Sequence, residues 1–414
     1  MVEKLIDAIP IYKRGFGLKA EVIGELKSDY DSLLIDFLEA NDYRILTPQV
    51  EILLAREFGF CYGVDRAVDY AYETRKRFPD RRLFLTAEII HNPRVNRRLA
   101  ELGIRFLTGQ YGGENPLETL EPADVVLLPA FGVSKSLLAR LQATGCILVD
   151  TTCGSVANVW RRVERYAREG YTSIIHGKYD HEETIATSSR AESEEGAKYL
   201  VVKDMAEAET VCAYIEGRGN RGSFLATFAK SSSKGFDPDL HLAKVGVANQ
   251  TTMLSSESLA IARRIEESMI RRYGQDEASK RFLSFDTICS ATQERQDAVI
   301  ELAQSGLDLM IVVGGFNSSN TGHLCEIGAE HCPTFHIDEV SRIEGAERIR
   351  HKRPFADTLS VTEHWLPEGF RRIGFTAGAS TPNQVIGEVI ATVLKLKGVD
   401  VDLLVPAGFA PSQL

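Results

Sequence analysis

From Pro48 onward the chain repeats one pattern of apolar and polar positions. A short β-prone run, such as VEILLARE, is followed by a stretch with apolar residues at helical spacing, such as VDRAVDYAYETRKRF. The pattern returns in RRLFLTAEIIHNPRVNRRLAELGI, ADVVLLPAFGVSKSLLARLQATG, YTSIIHGKYDHEETIATSS, LDLMIVVGGFNSSNTGHLCEIGA and RRIGFTAGASTPNQVIGEVIATVLK. Such alternation predicts an α/β protein with largely parallel sheets. Ligands of such folds bind beyond the carboxyl ends of the strands. The polar residues of these units cluster at those strand-to-helix turns.

Two regions depart from the pattern. Residues 1–48 read as an N-terminal helical extension, because EVIGELKSDYDSLLIDFLEAND has helical periodicity and shows no chemistry. Between about Ser193 and Asn249 the chain turns polar and Gly/Ser-rich, which predicts an insertion or a long hairpin. The expected division is the extension at 1–48, then three α/β domains at 49–153, 154–286 and 287–414. The strand at 49–57 is also a candidate partner for the third domain, and the insertion falls near 191–248 of the second.

Three of the units share a further feature. Cys61, between Gly59 and Gly63, Cys153 after CILVDTT, and Cys289 after RFLSFDTI each stand between a strand and a helix. A helix N-terminus stabilises a thiolate, the form that binds metal or attacks. Cys146, Cys212, Cys325 and Cys332 lie within or beside apolar segments and read as small hydrophobes.

Composition narrows the class. The 414 residues suffice for two or three domains, and 44% hydrophobic with 26% charged residues is ordinary for a globular chain. A net charge of −10 argues against nonspecific nucleic-acid binding. There is no apolar run long enough for a bilayer and no signal-peptide core in MVEKLIDAIPIYKRG, so the expectation is a cytoplasmic protein. Its seven cysteines then point to free thiols or metal ligands.

Two turns look built for an anion. GGFNSSN places Ser318, Ser319 and Asn320 at a helix start, and TAGASTPN does the same with Ser380. Plain N-capping is the competing reading. His91, His176 and His181 lie in neighbouring turns, His181 followed by Glu182 and Glu183; such histidines bind metal, relay protons or hold phosphate, or are ordinary polar residues. The other six histidines read as structural or surface. Structural zinc usually takes four ligands, often as C-x-x-C pairs, and the chain has no such pair. Three separated cysteines suit a cubane iron–sulfur cluster with one iron left free, or else three buried cysteines that never meet.

In order along the chain, GFCYGVDRA, IIHNPRVN, DTTC, HEETIAT, NQTT, ICSATQERQ, NSSN and TAGASTP resemble the motifs of the 4-hydroxy-3-methylbut-2-enyl diphosphate reductases. The resemblance covers about Pro48 to Lys397, and the long lead and HEET variant are similar to the plant and cyanobacterial branch. It implies a clover-like arrangement of three α/β domains around a central 4Fe-4S cluster ligated by Cys61, Cys153 and Cys289. It implies that His91, His181, Ser318, Ser319, Asn320 and Ser380 hold the substrate diphosphate, that Glu183 delivers protons and that Thr251 hydrogen-bonds the substrate hydroxyl. It also implies reductive dehydroxylation to isopentenyl and dimethylallyl diphosphates, the last step of the non-mevalonate pathway, with a ferredoxin or flavodoxin as electron donor and with neither nucleic acid nor membrane as partner.

Two positions depart from the commoner bacterial pattern. H-P-E becomes His181-Glu182-Glu183, which makes Glu182 a rival proton donor. A histidine of the turn A-H-G-V-S becomes Phe131, for which Lys178 is a candidate compensation. Two other functions compete: a redox-neutral iron–sulfur hydro-lyase, and a non-catalytic protein with a structural metal or cluster.

Overall fold

The computed structural model describes residues 11–113, 117–354, 356, 358–406 and 409. The first ten residues, and with them most of the stretch read for a signal peptide, lie outside that range.

The strands assemble into three sheets. The first is wholly parallel, in the order Ile11–Tyr12, Ile147–Asp150, Val125–Leu128, Leu83–Leu85, Ile104–Phe106. The second is also parallel, in the order Phe282–Ser284, Val245–Asn249, Thr172–His176, Tyr199–Val202. The third has seven strands, with Thr334–Ile337, Leu309–Val313, Arg371–Ala377 and Val50–Leu54 parallel at its centre. Antiparallel strands close both its edges: Arg348–Lys352 and Leu359–Glu363 on one side, Arg44–Leu46 on the other. Central strands such as Val125–Leu128 and Leu309–Val313 are buried at every residue, as the unbroken apolar runs require of sheets covered by helices on both faces. Each sheet anchors its own apolar core. A division into three domains along these sheets is our reading of that topology, with Val50–Leu54 belonging to the third sheet.

The N-terminal lead is not a helical appendage. Its first described strand, Ile11–Tyr12, pairs with Leu148 and Val149, and Arg44–Leu46 forms an edge of the third sheet. Of its two helices, Lys19–Tyr30 buries Val22, Leu26 and Tyr30 in the first core. The other, Leu33–Ala40, buries Leu34, Ile35 and Leu38 in the third. The helical spacing was legible, but two- and three-residue strands carry too little pattern to read.

The polar stretch near 191–248 is neither a hairpin nor a simple insertion. Tyr199–Val202 pairs in parallel with Ser173–His176 and leads into the helix Met205–Ile215, one more strand–helix unit of the second sheet. Two short helices, Arg221–Thr227 and Pro238–His241, then cross to the strand Val245–Asn249, and Phe224, Phe228 and Phe236 join the core of that sheet.

Candidate active site

The three cysteines occupy one structural position. Cys61, Cys153 and Cys289 are the N-caps of the helices Tyr62–Arg77, Gly154–Arg168 and Ser290–Ala303. All three have extended backbone and no capping bond from the side chain; the Cys289 sulfur lies 3.0 Å from the Thr292 hydroxyl. Each backbone N–H donates to a different neighbouring turn: Cys61 to Ala379 O at 3.1 Å, Cys153 to Ala130 O at 2.7 Å, Cys289 to Thr251 O at 3.3 Å. The turns are thus stitched to one another as well as to their own helices.

Local geometry depends on two glycines. Gly59 has φ of 68°, in the left-handed region that lets the chain turn before Cys61. At Gly63 a Cβ would come within 2.4 Å of Cys153 Sγ, so a larger residue there would displace the second cysteine's thiol.

These thiols border a cavity of about 110 Å³ that is also lined by His91, His181, Glu183, Thr251, Ser318, Ser319, Asn320 and Ser380. All eleven side chains singled out in the sequence therefore face one space. Each follows the carboxyl end of a strand and precedes or opens a helix. Val64, Ile90, Ala130, Phe131 and Val156 supply an apolar wall.

A carboxyl is buried at this cavity. Glu183 is 2% exposed. Its Oε1 accepts from the Thr251 N–H at 2.6 Å and its Oε2 from the Thr251 hydroxyl at 3.0 Å. Burial pushes its carboxyl up to about 7, against the two Thr251 bonds and the nearby His91, which favour the anion. Its rival Glu182 has a side chain 47% exposed, 3.7 Å from His91 Nε2.

The polar end holds unpaired groups. Asn320 Oδ1 accepts from Ala379 N–H at 2.9 Å, which turns its amide nitrogen away; that buried nitrogen has no partner, and neither has buried His91 Nε2. Ser318 caps the helix Ser319–Ala329 by accepting from Thr321 N–H. His181 caps the helix Glu182–Ala191, its Nδ1 accepting from Glu183 N–H at 3.2 Å. Burial, with His91 and Lys178 nearby, holds His181 well below the usual histidine range, so the ring is neutral with its proton on Nε2. Phe131 stacks flat on His91, with centroids 4.8 Å apart and planes at 10°.

The LytB protein family model matches residues 52–394. The 4-hydroxy-3-methylbut-2-enyl diphosphate reductase of Gloeobacter violaceus is 50% identical over 392 residues, which are 94% of this chain and 93% of that one. The reductase of the same name from Thermosynechococcus vestitus is 49% identical over 94% of this chain and 95% of its own.

The chain belongs to the 4-hydroxy-3-methylbut-2-enyl diphosphate reductase family.

Among solved structures, one described as (E)-4-hydroxy-3-methyl-but-2-enyl diphosphate reductase, the terminal enzyme of the non-mevalonate pathway, matches at 26% identity and TM-score 0.50. It is matched over 83% of this chain and 99% of that one. The Plasmodium falciparum reductase structure shares the fold at TM-score 0.61 and 20% identity, over 87% of this chain and 95% of its own. Among the described residues, no helix is long and apolar enough to cross a membrane.

Other candidates fall elsewhere in this reductase-family fold. His176 is fully buried beneath the site, its Nδ1 2.8 Å from the Ser258 hydroxyl, and is a packing residue. Lys178, a candidate replacement for the histidine missing at Phe131, is exposed and is not among the residues that line the cavity. Cys146, Cys212 and Cys325 are buried in apolar clusters, and Cys332 packs against one.

Three supporting residues escaped the reading of the sequence, although Gln250 and Arg295 lie in the ordered motifs and Glu88 directly precedes one. Gln250 Oε1 accepts from Lys178 N–H and the Thr184 hydroxyl, while its Nε2 donates to Ser319 at 3.2 Å. Arg295 donates to the carbonyls of Phe58, Gly59 and Phe60, clamping the turn that presents Cys61. Glu88 lies behind His91 at 3.1 Å. No spacing marks these roles, because their partners are distant in sequence or in type.

Proposed function

We propose that the chain converts 4-hydroxy-3-methylbut-2-enyl diphosphate to isopentenyl and dimethylallyl diphosphates by reductive dehydroxylation. The supporting observation is the meeting, on one small cavity, of three capping thiols, a buried carboxyl raised to about 7, and hydroxyl and amide groups at the other end. Loss of the hydroxyl as water takes up two electrons and two protons.

The thiols suit a 4Fe-4S cluster better than a single zinc ion. The cavity wall offers three thiols, not four, whereas a structural zinc usually takes four protein ligands. Burial pushes the Cys61 thiol up and the Cys289 thiol up to about 11, so loading such a cluster releases their protons. Cys61, Cys153 and Cys289 would hold it, and when bound it supplies single electrons and a Lewis-acidic iron with no protein ligand.

The chain's own groups account for the rest. Glu183 stores a proton near neutral pH and has Thr251 beside it to orient the exchange with the substrate hydroxyl. The buried Asn320 amide, the His181 Nε2–H, and Ser318, Ser319, Ser380 and His91 offer contacts to a diphosphate at the helix N-termini. The apolar wall around Phe131 and Val156 excludes water from the five-carbon tail. A carrier of single electrons, a ferredoxin or flavodoxin, completes the cycle, and the free thiols fit a cytoplasmic setting.

The test is anaerobic. Cluster-loaded protein with reduced methyl viologen should oxidise the dye only when 4-hydroxy-3-methylbut-2-enyl diphosphate is added, forming both five-carbon diphosphates. Absence of oxidation with loaded protein would overturn the reading in favour of a hydro-lyase or a non-catalytic cluster protein.

A further inference from the structure

His91 stands between two carboxylates. Behind it, Nδ1 lies 3.1 Å from Glu88 Oε2. In front, the buried Nε2 faces Glu182 Oε2 at 3.7 Å, beyond hydrogen-bonding distance and without a partner. A carboxylate only accepts, so His91 Nδ1 donates to it, and Nε2, a donor to anions when the ring carries both protons, is the nitrogen offered to the cavity. Glu88 is 8% exposed and is itself oriented by the Gln110 amide, which donates to its other oxygen. Phe131 fixes the plane of the ring, and the backbone is pinned because the Ser380 hydroxyl donates to His91 O at 3.3 Å.

The second histidine is set the opposite way. His181 Nδ1 accepts a backbone N–H, which makes Nε2–H a fixed donor. At His91, by contrast, the cavity nitrogen has no such fixed partner and stands among acidic side chains. Those are Glu88 behind, Glu182 in front and Glu183 further along the same turn, with His181 edge-on at 5.1 Å between ring centroids.

We propose that the two carboxylates act on His91 in opposite senses: Glu88 is a positioning residue that directs Nε2 toward the substrate diphosphate, and Glu182 is an internal anion that occupies this place until the diphosphate displaces it. The proposal rests on reading this end of the cavity as the diphosphate end. Displacement is easy because Glu182 is half exposed and its contact is long, in the range of weak surface pairs. Glu88 is buried and hydrogen-bonded, so its loss costs more.

The experiment measures KM and kcat for the allylic diphosphate, and the inhibition constant of inorganic diphosphate, on the cluster-loaded enzyme. Glu182→Gln should lower KM and the inhibition constant about threefold to fivefold, the size of an exposed pair, with kcat little changed. Glu88→Gln should raise both about tenfold, the size of a hydrogen bond to a charged group. In a His91→Ala background neither change should shift either constant, since coupling is lost with the shared partner. Shifts of the same sign in the two single variants, or effects that persist without His91, would overturn the proposal. Unchanged constants in His91→Ala alone would instead overturn the diphosphate reading of this end, and the proposal with it.

Discussion

Glu183 and Thr251 form a two-point contact: the carboxylate accepts from both the backbone N–H and the hydroxyl of the threonine, at 2.6 and 3.0 Å. They come from different strand-to-helix turns of the second sheet and meet only because their strands are neighbours. The contact favours the anion while burial favours the acid, and the balance leaves the carboxyl at about 7.

Glu183→Gln should lower kcat by about 10²–10⁴-fold, the usual worth of a positioned proton donor, with KM and iron content little changed. Steady-state kinetics beside an iron assay checks this. Normal turnover would remove Glu183 from the reaction.

A donor at about 7 must be protonated to act, so kcat should fall as pH rises through about 7. The sign for stability is the same. The folded group binds its proton more tightly than the ordinary carboxyl at 4.5, so its contribution is full below 4.5 and is lost as pH rises to about 7. Thr251→Val removes one bond to the anion, worth about one pH unit, and should move the descending limb of the pH–rate profile upward by about that amount. An unmoved limb would mean that another group sets it.

Gly63→Ala places a methyl where Cys153 Sγ lies 2.4 Å away. We expect circular dichroism like the parent and about tenfold weaker retention of iron, the usual scale of a disturbed supporting position. Cys61→Ser, Cys153→Ser and Cys289→Ser should each lose the cluster signal, whereas Cys332→Ser should keep it. Iron per chain and the visible absorbance after anaerobic gel filtration distinguish the cases.

Ile35 is fully buried between the lead and the third core. Ile35→Ala should therefore destabilise the protein by about 3 kcal/mol, as for other buried large-to-small changes. A urea unfolding midpoint equal to the parent's would show that the lead does not share this core.

The alternation of short apolar runs with amphipathic helices determined the α/β class and the strand-to-helix turns, because burial on both faces and helical periodicity leave local marks. The ordered motifs likewise marked eleven candidate residues, all of which line the cavity. What they do to one another was decided by tertiary structure. Only the parallel pairing of Val245–Asn249 with Thr172–His176 sets Thr251 against Glu183 and leaves Glu182 outside. Only the packing of three helix starts shows that a side chain at Gly63 would displace the Cys153 thiol and that Arg295 clamps the Cys61 turn. The lead was misread for the same reason: its two-residue strand owes its existence to Leu148 and Val149, residues more than a hundred positions away. Local pattern fixes which face of an element is apolar, while the partner of that face is chosen by long-range packing.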